Sequence, residues 1–87
     1  MDRDVTLQVP EYDRFKGVEV RWADGSEICV SQEGREILIE ANPEGLQSLA
    51  VQLLTLAQAG IPSKNHIHLD AGAGVNDDSL DLILQRK

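Results

Sequence analysis

The chain has 87 residues, of which 41% are hydrophobic and 26% charged, a size and balance that fit one soluble domain and exclude collagen-like or wholly disordered chains. Fifteen acidic against eight basic residues leave a formal net charge of −7, which repels phosphate backbones and argues against nucleic-acid binding. Only Tyr12, Phe15 and Trp22 are aromatic, so the core is aliphatic and bases would find few stacking platforms.

In chain order, residues 1–16 alternate weakly. Val5, Leu7 and Val9 share one side before Pro10 stops the pattern, which reads as an N-terminal arm or edge strand. Residues 17–23 read as a strand, with Val18, Val20 and Trp22 on one side and Glu19 and Arg21 on the other. Asp24-Gly25 is a two-residue hairpin signal. Residues 26–31 form the return strand with Ile28 and Val30 inward, and after Glu33-Gly34 a third strand spans 35–41 with Ile37 and Ile39 inward. Asn42 is a good helix N-cap, Pro43 suits the first helical position and Glu44 complements the positive helix end. Leu46, Leu49, Ala50, Leu53, Leu54 and Ala57 recur at helical spacing over 43–59, and Gly60 and Pro62 end the pattern. A strand over 66–70 turns Ile67 and Leu69 inward, 71–78 is a small flexible connection, and a last strand over 79–85 carries Leu80, Leu82 and Leu84 on one face.

The expected fold is therefore one α+β domain over residues 1–87, ordered β-β-β-α-β-β, with a mostly antiparallel sheet and one helix packed on one face. A helix about 10 Å wide covers about two strands. The rest of the inner face needs cover from the arm, through Val9, Tyr12 and Phe15, or from a second copy of the chain.

The opposite face of such a sheet would present Glu19, Arg21, Glu27, Cys29, Glu36, Leu38, Glu40, His66, His68, Asp70, Asp81, Ile83 and Gln85, six carboxylates against one arginine. An acidic surface with apolar points suits a basic protein partner, because charge steers encounter and apolar anchors supply affinity. The bland alternative is a solvated sheet face on an acidic protein. His66-Ile67-His68-Leu69-Asp70 would project two imidazoles and a carboxylate to one side, three donors of the kind zinc takes. No fourth ligand is evident, and a flat sheet offers no pocket. Surface histidines making local hydrogen bonds are the simpler account. Cys29 at mid-strand is a small apolar filler rather than a nucleophile, Asp77-Asp78 are solvated loop acids, and Gly72-Ala73-Gly74 lacks the strand-to-helix setting of a phosphate loop. No cofactor and no catalytic residue is implied. A lone cysteine excludes an internal disulfide and fits a reducing cytoplasm. Met1-Asp2-Arg3-Asp4 leads into no apolar segment of signal-peptide type, and no uncharged apolar run approaches the roughly 18 residues of a membrane span.

The run from Ile37-Leu38-Ile39-Glu40-Ala41-Asn42-Pro43-Glu44-Gly45-Leu46-Gln47-Ser48-Leu49-Ala50 to Leu53-Leu54 resembles the immunity protein 32 family. So do His66-Ile67-His68-Leu69-Asp70 and Ser79-Leu80-Asp81-Leu82-Ile83-Leu84, the likeness covering residues 35–86. The resemblance implies a bacterial protein encoded beside a polymorphic toxin, which it neutralises by stoichiometric binding and without catalysis. Glu40, Asn42, Gly45, His68 and Asp70 are matching positions to which the resemblance assigns no role. The acidic face then suits a basic toxin, such as a nuclease. Two other readings stand beside it: a homodimeric structural or adaptor domain, and a divalent-metal protein using His66, His68 and Asp70.

Overall fold

The computed structural model describes residues 1–87. Strands β1 (Ile28–Glu33) and β2 (Glu36–Ala41) precede helix α1 (Pro43–Leu56), and strands β3 (His66–Ala71), β4 (Gly74–Val75) and β5 (Leu82–Gln85) follow it. The class is α+β, with five strands in two sheets that are mostly antiparallel.

β1 and β2 form an antiparallel hairpin in which Val30 faces Ile39 and Ile28 faces Ala41. β3 is central in the second sheet, antiparallel to β5 through His68↔Ile83 and parallel to the short β4 through Asp70↔Gly74. The segment after β4 joins the two sheets. The Asn76 amide donates to Ile28 O at 2.8 Å and the Leu80 amide to Val30 O at 2.8 Å, while Ser79 Oγ accepts from the Val30 amide at 2.7 Å. The stretch 71–78, expected to be a flexible connection, thus holds a strand and a structural junction, and Val75 within it is buried.

The core is aliphatic, as the composition requires. Ile28 and Val30 of β1, Leu56 of α1, Ile67 and Leu69 of β3 and Val75 of β4 form one buried cluster. Val18, Trp22, Ala41, Leu49, Leu82 and Leu84 pack around it. Pro10 and Ile61, in segments without regular structure, are buried too.

Further expectations are corrected. Residues 17–23 form no strand. Their backbone is held by helix side chains instead of a ladder: the Ala23 amide donates to Ser48 Oγ at 2.9 Å, and Gln52 Nε2 donates to Arg21 O. Further back, Gln58 Nε2 donates to Pro10 O at 2.7 Å and Gln58 Oε1 accepts from the Tyr12 amide at 3.0 Å. Val18 and Trp22 still reach the core, but Val20 is exposed. Phe15 is exposed as well, lying under the Arg14 guanidinium 4.8 Å from its ring centroid.

The second correction follows from the first. The buried side of α1 carries Gly45, Ser48, Gln52, Thr55 and Leu56. Leu46, Leu53 and Leu54 of the apolar stripe are exposed. At 100° per residue the two sets are roughly 140° apart, because the face that grips the N-terminal segment must carry hydrogen-bonding side chains. Ile37 and Ile39 likewise share the face of Ile28 and Val30 but stay 60% and 42% exposed. The helix ends at Leu56, three residues before the expected Ala59, and Arg86 Nη1 takes the Leu56 and Gln58 carbonyls at 2.7 and 3.1 Å.

Candidate functional site

Strand alternation sorts the side chains of β1 and β2 into two faces. Ile28 and Val30 go to the core, so Cys29, Ser31 and Glu33 point outward from β1. The partners opposite them on β2 are Glu40, Leu38 and Glu36, through the pairs Cys29↔Glu40, Ser31↔Leu38 and Glu33↔Glu36. Glu27, just before β1, is exposed and continues the outward row. This face therefore presents Glu27, Glu33, Glu36 and Glu40 around Leu38, which is 45% exposed. A shallow depression of about 280 Å³ at its lower end is lined by Glu27, Cys29, Glu40, Ala41, Asn42 and Asn76. Cys29 Sγ lies 4.0 Å from Asp78 Oδ1, which brings a further carboxylate to the margin.

One side chain fixes this end of the hairpin. Asn42 Oδ1 accepts from the Gly45 amide at 2.8 Å, as a helix N-cap should, and also from the Glu27 amide at 3.0 Å. Its Nδ2 donates to Gly25 O at 2.8 Å. Asn42 thus ties the turn before β1, the start of β1 and the first turn of α1 together. Gly45 must be glycine for a related reason. A Cβ there would sit 2.5 Å from Glu27 O and 3.0 Å from Ile28 Cγ1, so the helix can lie this close to β1 only without a side chain.

The second sheet supplies a smaller outward patch. His66 and His68 project together from β3, with Ile83 of β5 opposite His68 and 53% exposed. The two imidazoles meet edge to face, centroids 4.8 Å apart, and His66 Nδ1 lies 3.0 Å from Lys64 O. Asp70, at the far end of β3, and Asp81, before β5, are exposed. Nowhere do three His, Cys, Asp or Glu side chains come close enough together to hold a metal ion, so His66, His68 and Asp70, the weaker alternative reading, do not form a three-ligand cluster.

Glu19 and Arg21 are not part of either face. They lie on the segment held by Gln52 and pair with each other, Arg21 Nε to Glu19 Oε2 at 2.7 Å. That is the only ion pair in the chain, so every carboxylate of the two outward patches lacks a cationic partner.

The family model of immunity protein 32 matches residues 36–87. The chain belongs to the immunity protein 32 family. The matched span takes in β2, the helix and the whole second sheet, and it starts at Glu36, the first acidic residue of the β2 row. Within the matched span, Asn42 and Gly45 have the structural duties just described. Comparison with curated proteins and with solved structures finds no match. No helix is long and apolar enough to cross a membrane. For this immunity protein 32 family member the outward patches gain Glu33, Ser31 and Asp78 over the sequence reading. The signal for Glu33 and Ser31 was available in the alternation of β1. Asp78 joins through a tertiary approach that spacing does not encode.

Proposed function

We propose that this immunity protein neutralises a cognate toxin by stoichiometric binding in the producing cell's cytoplasm, and that the acidic outer face of β1 and β2 is the contact surface. The observation that carries the reading is the row Glu36, Leu38 and Glu40 on the outward side of β2. It lies inside the family-matched span, is exposed, and has no basic partner within the chain. Glu27 and Glu33 flank the row, and Asp78 stands beside it. His66, His68 and Ile83, with Asp70 and Asp81, form the secondary patch.

Carboxylates held this way suit a basic toxin. They raise the encounter rate through long-range attraction, and Leu38 and Ile83 offer apolar anchors at which water is displaced. A nuclease would expose a cationic groove built for phosphates, and carboxylates can occupy the phosphate positions. The surface sits on strands rather than loops, so little ordering entropy is lost on binding. Binding in this account needs no catalytic residue and no cofactor.

The test is co-expression. The C-terminal domain encoded immediately upstream should arrest growth of a host. This protein should restore growth and co-elute with that domain in a complex that weakens as salt rises. Arrest without rescue would end the proposal.

A further inference from the structure

β2 is the outer strand of a two-stranded sheet, so one of its edges has no partner. The Asn42 amide donates to Glu27 O, and in an antiparallel ladder this makes Cys29↔Glu40, Ser31↔Leu38 and Glu33↔Glu36 the hydrogen-bonded pairs. The N–H and C=O groups of Ile37 and Ile39 then point away from β1, and no hydrogen bond outside the ladder involves them. The only usual protection on this edge is the charge of Glu36 and Glu40. It is six residues long, with no proline and no lysine, and its three central side chains Ile37, Leu38 and Ile39 are all exposed apolar residues. The other open edge, β5, has four residues and runs into Arg86 and Lys87.

We infer that β2 pairs with β2 of a second copy, antiparallel about a twofold axis, with Ile39 opposite Ile39. The choice of register follows from face and charge. Opposed side chains share a face, so only registers that pair odd with odd positions keep Ile37 and Ile39 on the helix side of both sheets. Centring on Leu38 sets Glu36 against Glu40 twice, and centring on Glu40 sets that glutamate against itself. Centring on Ile37 runs the strand into the Gly34 turn. Centring on Ile39 leaves Leu38 opposite Glu40, Ile37 opposite Ala41 and Glu36 opposite Asn42, with no two carboxylates directly opposed. It also brings the outward-pointing backbone groups of Ile37, Ile39 and Ala41 against one another, as hydrogen-bonded pairs need. Ile37 and Ile39, which the single chain leaves uncovered, are covered by their own copies.

The joined sheets place Glu36 and Glu40 of both copies on one outer surface. Salt therefore tightens this dimer by screening their repulsion, the opposite of its effect on a complex with a basic toxin. The inference is independent of the toxin reading, and the sign of the salt dependence separates the two.

The test is sedimentation of the full chain from roughly 1 to about 100 µM, at low salt and at about 0.5 M. The expected result is a species of twice the 9.6 kDa chain mass, favoured at the higher salt. Ile39→Lys should weaken it by about tenfold or more, because two ammonium groups then meet at the axis. Register is read by oxidation in a Cys29→Ser background: Ile39→Cys should cross-link to its own copy and Ile37→Cys should not, since paired strands bring only the former within disulfide reach. A chain that stays monomeric throughout would overturn the inference. So would cross-linking through position 37 alone, or an Ile39→Lys variant that changes toxin binding in a chain that never dimerises.

Discussion

At the residue scale, Asn42 and Gly45 hold the helix start against β1. Three backbone segments meet at the Asn42 amide group. Asn42→Ala should cost about 2 kcal/mol or more, above an ordinary cap, because a second amide and a carbonyl lose their partner as well. Asn42→Asp keeps both acceptor bonds but sets a carboxylate oxygen against Gly25 O in place of the donor, so urea unfolding should place it between wild type and alanine. Gly45→Ala is the sharper case. On an open helix this change is favourable by about 1 kcal/mol. Here the new methyl would meet the Glu27 carbonyl, a backbone atom that cannot swing away, and the change should destabilise by about 2 to 4 kcal/mol. A Gly45→Ala protein as stable as wild type would contradict the described helix–strand approach.

At the scale of elements, the helix and the N-terminal segment explain each other. Ser48, Gln52 and Gln58 replace a β-ladder as the partners of residues 10–23. Gln58→Ala removes both bonds to Pro10 and Tyr12. It should raise amide exchange and protease cleavage across residues 5–16 while Trp22, packed against Gly74 and the core, keeps its fluorescence environment. Loss of the whole fold on Gln58→Ala would mean that the segment is integral rather than strapped on. The hairpin, the helix start and β3 were legible because each rests on local chemistry: Asn42-Pro43-Glu44 for the cap, alternation for Ile28, Val30, Ile67 and Leu69. The orientation of the helix was not. Leu46, Leu53 and Leu54 satisfy the apolar periodicity of a core-facing helix, yet that stripe faces out. Ser48 and Gln52 recur at helical spacing as well, and they were the signal for a face that binds the backbone of another segment. The Val18, Val20 and Trp22 alternation was overruled for the same reason, since its hydrogen bonds go to side chains that no strand pattern announces.

At the scale of the molecule, charge and shape act together. A net charge of −7 with one internal ion pair leaves the outer faces of both sheets electronegative, and the sheet scaffold holds the β1 and β2 carboxylates in fixed rows. The acidic character of that face was legible in the sequence. Its extent was not, because Glu19 and Arg21 leave the sheet with the segment that carries them, and Asp78 arrives through the junction between the sheets. Contact of Glu36 and Glu40 with the toxin, as proposed, is tested most directly by titrating the cognate toxin domain calorimetrically with wild type and with Glu36→Lys/Glu40→Lys at low salt. Both substitutions lie on an exposed strand face, so thermal stability should stay within about 1 kcal/mol of wild type. The double variant should bind about a hundredfold more weakly and lose most of the salt dependence. Equal affinity of the two proteins for the toxin, with the fold of each intact, would contradict the proposed contact.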